Sequence, residues 1–433
     1  SRLFNKIPYF DENVEISQYP DIPNNEFTRD EILSMLAKEM LDAAEQLPAS
    51  QPEVGRIHKY IALAYAAKIK LYQAYQQDEI THAVTSINKE LLREVVSLCD
   101  QVTASNRYGL LDDFQGLDLV TNENGKESVF AIQYSMNDGT ESAGRINWSN
   151  LLNSPGGGSP YGGDGFFLPS QDLINAYQTD ANGLPDFNYQ SKSDYSWAVL
   201  NNGVYTLQNT TPNVDPRLDF VVGRPTITWK TYPDKPCEGW VRDKETYGYN
   251  CAKRFWVSPE SSDMFNGWPW GASQLNWQII RYADILLWKA EALIELNEGD
   301  GLETARDLIN QIRNRARNSA YVKDFNDHSK YAANYLVNPY PADVWNQDYA
   351  RQALRWETRL EKALEGERFF DLVRWGIVET TMNKYITAES DNRIYYANAH
   401  FTGGKDEYYP VPNNQYGFSG GKYVQNPGYA PFN

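Results

Sequence analysis

The sequence predicts a mainly α-helical chain with an irregular, loop-rich middle. Three observations carry that prediction. Apolar residues recur at helical spacing toward both ends, Gly, Pro and Asn interrupt the chain from about 112 to 271, and the strand-like runs between those breaks are short.

The elements follow in order. From Thr28 to about Leu47, Ile32, Leu36, Met40 and Ala43 repeat on one face behind Thr28, Asp30 and Glu31, the pattern of a capped amphipathic helix. Arg56 to Tyr75 is a second helix, and Ala62, Ala64, Ala66 and Ala67 give it surfaces that a neighbour can approach closely. Leu91 to about Ser105 completes a helical hairpin region over 28–105. Across 112–271, runs such as Gly156–Gly158 and Asn201–Gly203 divide the chain, with strand-like pieces at Val129–Tyr134 and Leu218–Val222. Helical spacing returns at Ile279, Ala283, Leu286, Leu287, Ala290, Leu293 and Ile294. It breaks at Gly299 and Gly301 and resumes through Ala305, Leu308, Ile309, Ile312 and Ala316. The stretch Asn318 to Asp348, rich in Tyr, Asn and Asp, reads as a further insertion.

Arg351 to Gly376 is the most informative segment. Arg351, Arg355 and Arg359 line one side of a helix and Glu357, Glu361 and Glu365 another, so surface pairing is expected. Ala350, Ala353, Leu354, Leu360 and Leu364 form the apolar stripe, and Glu357 falls inside it. A carboxylate there needs a cationic partner, for which Arg368 or Arg374 are the expected candidates. Gly366 lets the chain bend before a second apolar segment that contains Arg368, Asp371 and Trp375.

This segment resembles the signature of the SusD-like (RagB/SusD) family, whose Arg-rich, Glu-containing helix runs into Glu-Gly-x-Arg-Phe-Phe-Asp-Leu-x-Arg-Trp-Gly. Other resemblances are collinear: Gly55-Arg56, Glu127 to Gln133, Asp215-Pro216-Arg217, Ile280 to Leu287 with Ala290 to Leu293, and Gln425 to Tyr429. The resemblance implies a SusD-like fold over 1–433 as one domain, with tetratricopeptide-like helical hairpins at 28–105, a loop-rich ligand-binding region at 112–271, and helical repeats with the signature and tail at 272–433. It further implies a cell-surface lipoprotein of a Gram-negative outer membrane and a SusC-like TonB-dependent transporter as partner. The family's signal peptide, lipid-anchor cysteine and first helices are not in this numbering, so a truncated chain is expected.

Composition narrows the function. A net charge of −17 argues against nucleic acid as partner. Ser1 to Phe10 lacks signal-peptide organisation, and no run is long and apolar enough to span a membrane. Cys99, Cys237 and Cys251 are too few for a disulfide scaffold; whether Cys237 and Cys251 pair stays open. His58, His82, His328 and His400 are scattered rather than spaced as zinc ligands. Asp112, Asp113, Asp118, Glu123 and Asp138 lack EF-hand spacing and read as solvated acidic loops, with a structural calcium left open and no other cofactor expected.

Aromatics make up 14% of the chain, including 12 Trp and 30 Tyr. Trp148, Tyr161, Trp229, Trp240, Trp268 and Trp270 sit where no periodic pattern would bury them. A flat ring offers its face to the C–H face of a sugar while neighbouring amides and acids bond the hydroxyls. Asn266-Gly-Trp-Pro-Trp270 is the favoured platform, with Pro269 stiffening the link between two indoles. The plainer account, in which these rings anchor loops on the scaffold, stays open. Trp277, Trp288, Trp356 and Trp375 lie in the helical segments and read as core. Gly156 to Gly163 lacks the Lys-Ser/Thr ending of a phosphate loop and reads as a mobile loop displaying Tyr161. The resulting expectation is a non-catalytic glycan binder. A peptide-binding family member is the alternative, and a helical glycoside hydrolase a remoter one, because its paired carboxylates would have to come from glutamates that arginines keep ionised.

Overall fold

The computed structural model describes residues 2–432 except 141–143, 149, 155, 157, 196–197, 202–203, 208–211, 226, 232–238, 268–270 and 391–392. Its main helices lie close to where periodicity places them. Helix α1 (Arg29–Gln46) begins at a reciprocal cap: the Glu31 N–H donates to the Thr28 hydroxyl and the Thr28 N–H to the Glu31 carboxylate. The buried alanines of α2 (Lys59–Ala74) let α1 and α3 (Lys89–Ala104) pack on either side of it, and Asn88 caps α3. Short helices α4 (Gln171–Ala176), α5 (Arg217–Val221) and α6 (Lys244–Tyr247) punctuate the irregular middle. Then follow α7 (Tyr282–Leu296), α8 (Gly301–Asn318), α9 (Gln347–Glu361), α10 (Arg368–Arg374), α11 (Val378–Ser390) and α12 (Asn413–Phe418). Helix α3 packs on α7, α7 on α8, and α9 against both, the neighbour-on-neighbour order of stacked helical hairpins.

Two expectations change locally. Ile279 and Ile280 do not open a helix; they belong to the strand Trp277–Arg281, which pairs antiparallel with Ser128–Ile132. The helix starts one residue later, where the Asp284 carboxylate accepts the Arg281 N–H. Leu218 to Val221 is helical rather than extended. Pro216 holds an α-region backbone there and Asp215 accepts the Arg217 N–H, so the turn chemistry overrides the β-branched composition.

The signature glutamates face inward rather than along the surface. Glu357 pairs with Arg217 at 2.6 Å and Arg313 at 3.1 Å, not with Arg368 or Arg374. Glu361 meets Arg217, Arg281 and Arg315, and Glu365 meets Arg281, Arg254 and Lys362. Asp215, Glu127 and Asp118 extend the network into the loop-rich region. Burial alone would raise the Glu361 pKa, but Arg315, Arg281 and Arg217 bring it down to about 2. Arg374 instead binds Glu291 and Asp371, and Trp375 donates its indole N–H to Glu291. Arg368 donates to the Arg355 carbonyl, and both guanidiniums lie over Trp375. Arg359 binds Asp172 and the Tyr189 hydroxyl. Gly366 has φ +79°, which provides the expected bend.

Candidate functional site

The irregular region is organised around an aromatic cluster. Tyr161, Trp229, Trp240, Trp256, Met264 and Leu275 bury one another beside Cys251. Ring centroids are 5.2 Å apart for Tyr161 and Trp229, 4.7 Å for Tyr161 and Trp256, and 5.8 Å for Trp229 and Trp240. Tyr161 donates its hydroxyl to the Val257 carbonyl and Trp229 its indole N–H to the Ala252 carbonyl, so the polar ends are satisfied inside. Cys251 is disulfide-bonded and Cys99 is a free buried thiol; Cys237 lies outside the described residues.

This burial corrects the reading of three aromatics as exposed platforms. Tyr161, Trp229 and Trp240 are 2%, 1% and 6% exposed, with no open face for a ligand. Nor does the glycine-rich segment display Tyr161; it delivers that ring inward. The segments these rings hold in place are what reach solvent.

One such segment is an irregular hairpin over 263–274. Met264 pairs with Ser273, the Phe265 N–H donates to the Ala272 carbonyl, and Gln274 donates to Asp263 through backbone and side chain. At its tip Asn266 is exposed, while Trp268 and Trp270 lie outside the described residues. Gly271, at φ +81°, closes the hairpin over the cluster: a Cβ there would sit 3.1 Å from the Tyr161 Cβ and 3.2 Å from the Trp256 ring. Ser273 also accepts the Asn147 N–H at 2.8 Å, which brings the next residue, Trp148, alongside the hairpin. Trp148 is 50% exposed.

Beyond Trp148 the chain turns, and the Phe166 N–H donates to the Leu152 carbonyl at 3.1 Å. Both side chains are exposed, Phe166 at 72%. Sequence reasoning missed Leu152 and Phe166, because no periodicity marks an exposed apolar residue within a glycine-rich segment. Asp263 and Ser261, at the hairpin's base, also line a cavity of about 730 Å³ together with Gln115, Asn122, Lys230 and Phe220. The surface therefore combines apolar faces with amide, hydroxyl and carboxylate groups.

The acidic loop residues are used internally. Asp118 is buried against Arg254 and Lys230, Asp112 pairs with Lys126, Asp138 binds Ser135 and Thr140, and Glu123 accepts the Asn276 N–H. Burial of Asp118 corrects its reading as solvated. Among the described residues no group of three or more His, Cys, Asp or Glu is arranged to hold a metal ion. No described helix is long and apolar enough to cross a membrane.

The buried Glu and Arg network, the stacked hairpins and the loop-rich insert meet in one comparison: the sequence profile of the SusD family matches residues 126–429. The chain belongs to the SusD family. Solved SusD-like structures share the fold. A SusD-like carbohydrate-binding protein from Bacteroides fragilis is 19% identical with a TM-score of 0.68, over 96% of this chain and 75% of that one. Surface glycan-binding protein A from Bacteroides uniformis is 18% identical with a TM-score of 0.61, over 98% and 74%. A laminarin-binding SusD-like protein is 19% identical with a TM-score of 0.56, over 99% and 75%. Among curated proteins no match is found. In this SusD family member the signature carboxylates Glu361 and Glu365 are buried and ion-paired, and their cations hold both below the ordinary range, which unfits them as general acids.

Proposed function

We propose that this chain captures an oligo- or polysaccharide on the surface formed by Trp148 and the 263–274 hairpin, without cleaving it. The observation that carries the reading is the Asn147 to Ser273 hydrogen bond, which sets the exposed Trp148 indole beside a segment, 263–274, whose sequence contains Asn266, Trp268 and Trp270. Stacking on the rings would supply apolar contact, and Asn266, Asp263 and Gln274 would supply hydroxyl partners. A shallow site of this kind binds weakly, but many units along one polymer raise the effective concentration. The structural relatives described as carbohydrate-, laminarin- and glycan-binding support the same class of ligand. We further propose, on family grounds, presentation at the outer membrane through an N-terminal lipid anchor and delivery to a SusC-like TonB-dependent transporter.

Affinity electrophoresis through gels containing soluble polysaccharides tests this. The parent protein should be retarded by at least one polymer with no sugar released, and Trp148→Ala and the Trp268→Ala/Trp270→Ala double variant should each migrate faster. Retardation unchanged in both variants would refute the site, and sugar release would refute the non-catalytic reading. Retention of peptides in place of glycans would shift the ligand class.

A further inference from the structure

A second pocket, of about 360 Å³, opens between the start of α2 and the strand Ser128–Ile132. Its wall carries Arg56, Arg107 and Lys126 against a single carboxylate, Glu53. In a chain of net charge −17, a pocket with an excess of cations stands apart from its surroundings. Arg56 is paired with Glu53, and Lys126 with Asp112 at 2.9 Å. Arg107 is exposed, and its charge acts on both Tyr108 and His58.

His58, the residue before α2, also lines the pocket. It is 9% exposed, makes no capping bond to its own helix, and the first turn of α2 contains no acid, unlike α1 and α3. Its Nε2 lies 3.2 Å from the Tyr108 hydroxyl, while its Nδ1 has no partner among the described residues. In the tautomer whose Nε2 accepts the Tyr108 O–H, the neutral imidazole carries its proton on Nδ1. In that tautomer the Nδ1 N–H is a buried donor lacking an acceptor, which costs free energy. The helix N-terminus adds to the field that favours a negative group there.

We infer that this pocket receives an acidic substituent of the ligand, a carboxylate or a sulfate ester on a sugar ring, held by Arg107 and Lys126 beside the start of α2. The inference rests on the saccharide reading above and adds an acidic glycan as its ligand class. Thermal melts with sodium glucuronate, sodium sulfate and glucose, each against sodium chloride at equal ionic strength, provide the test. Glucuronate, sulfate or both should raise the melting temperature saturably above the chloride control, and the pattern tells carboxylate from sulfate. Arg107→Glu and Arg107→Gln alter an exposed side chain, and each should weaken the apparent affinity by about tenfold or more, as expected for loss of a charge-assisted hydrogen bond. A shift matched by chloride, or one retained in both variants, overturns the inference. Trp148→Ala should keep the anion response while losing polymer retardation, so failure of the pocket and failure of the stacking surface give different results.

Discussion

At Glu357 the carboxylate is fully covered and accepts from Arg217 and Arg313, both themselves buried. Removing it leaves two guanidiniums without that counter-charge in a medium that solvates them poorly. Glu357→Ala should therefore cost about 3–5 kcal/mol of stability, the usual scale for breaking a buried pair. Thermal or urea melts check this, and an unchanged midpoint would contradict it. That Glu357 needs a cation was legible, because it interrupts an apolar stripe. Which cation was not, since Arg217 and Arg313 lie 140 and 44 residues away in sequence. Trp148 and Trp229 make the same point. Both sit in aperiodic sequence, yet one is half exposed and the other buried, because only Trp229 meets Tyr161 and Trp240 in space.

The 263–274 hairpin is the element on which the proposed site depends. Its register is set by Met264 and Ser273, and Gly271 holds a positive φ where the chain returns toward them. Gly271→Ala asks an L-residue to hold a left-handed backbone, at about 1–2 kcal/mol, with its Cβ pressed against Tyr161 and Trp256. The expected result is a melting point lowered by a few degrees and a loss of polymer retardation at temperatures where the protein remains folded. Normal retardation in that variant would show that the tip does not position the contacts. Helices α1, α3, α8 and α9 were readable from caps and periodicity to within a few residues. The strand Trp277–Arg281 was not, because its isoleucines suit the start of a buried helix as well as a strand, and pairing with Ser128–Ile132 decided between them.

Across the whole molecule, the buried ion network joins the helical scaffold to the irregular region, and its titration should shape stability against pH. Glu361 is ordinary at 4.5 when unfolded and about 2 when folded, so its contribution is present above pH 4.5 and lost as pH falls toward 2. Glu123 behaves oppositely. Burial lifts it to about 7, with Asp263 adding to the shift, so the stability it lends below pH 4.5 is lost as pH rises toward 7. Melting temperature should fall on the acid side along a limb that Glu361→Gln flattens, and decline toward neutrality along a limb that Glu123→Gln flattens. Limbs unaltered by these variants would count against the assignments. By itself the sequence determined the helical class, the caps, the inward need for counter-charge at Glu357 and the family signature, since each is encoded by residues a few positions apart. Tertiary structure decided which aromatics anchor and which remain open, and which arginines neutralise the glutamates. Those outcomes depend on burial between segments far apart in the chain, where no local period constrains the side chain.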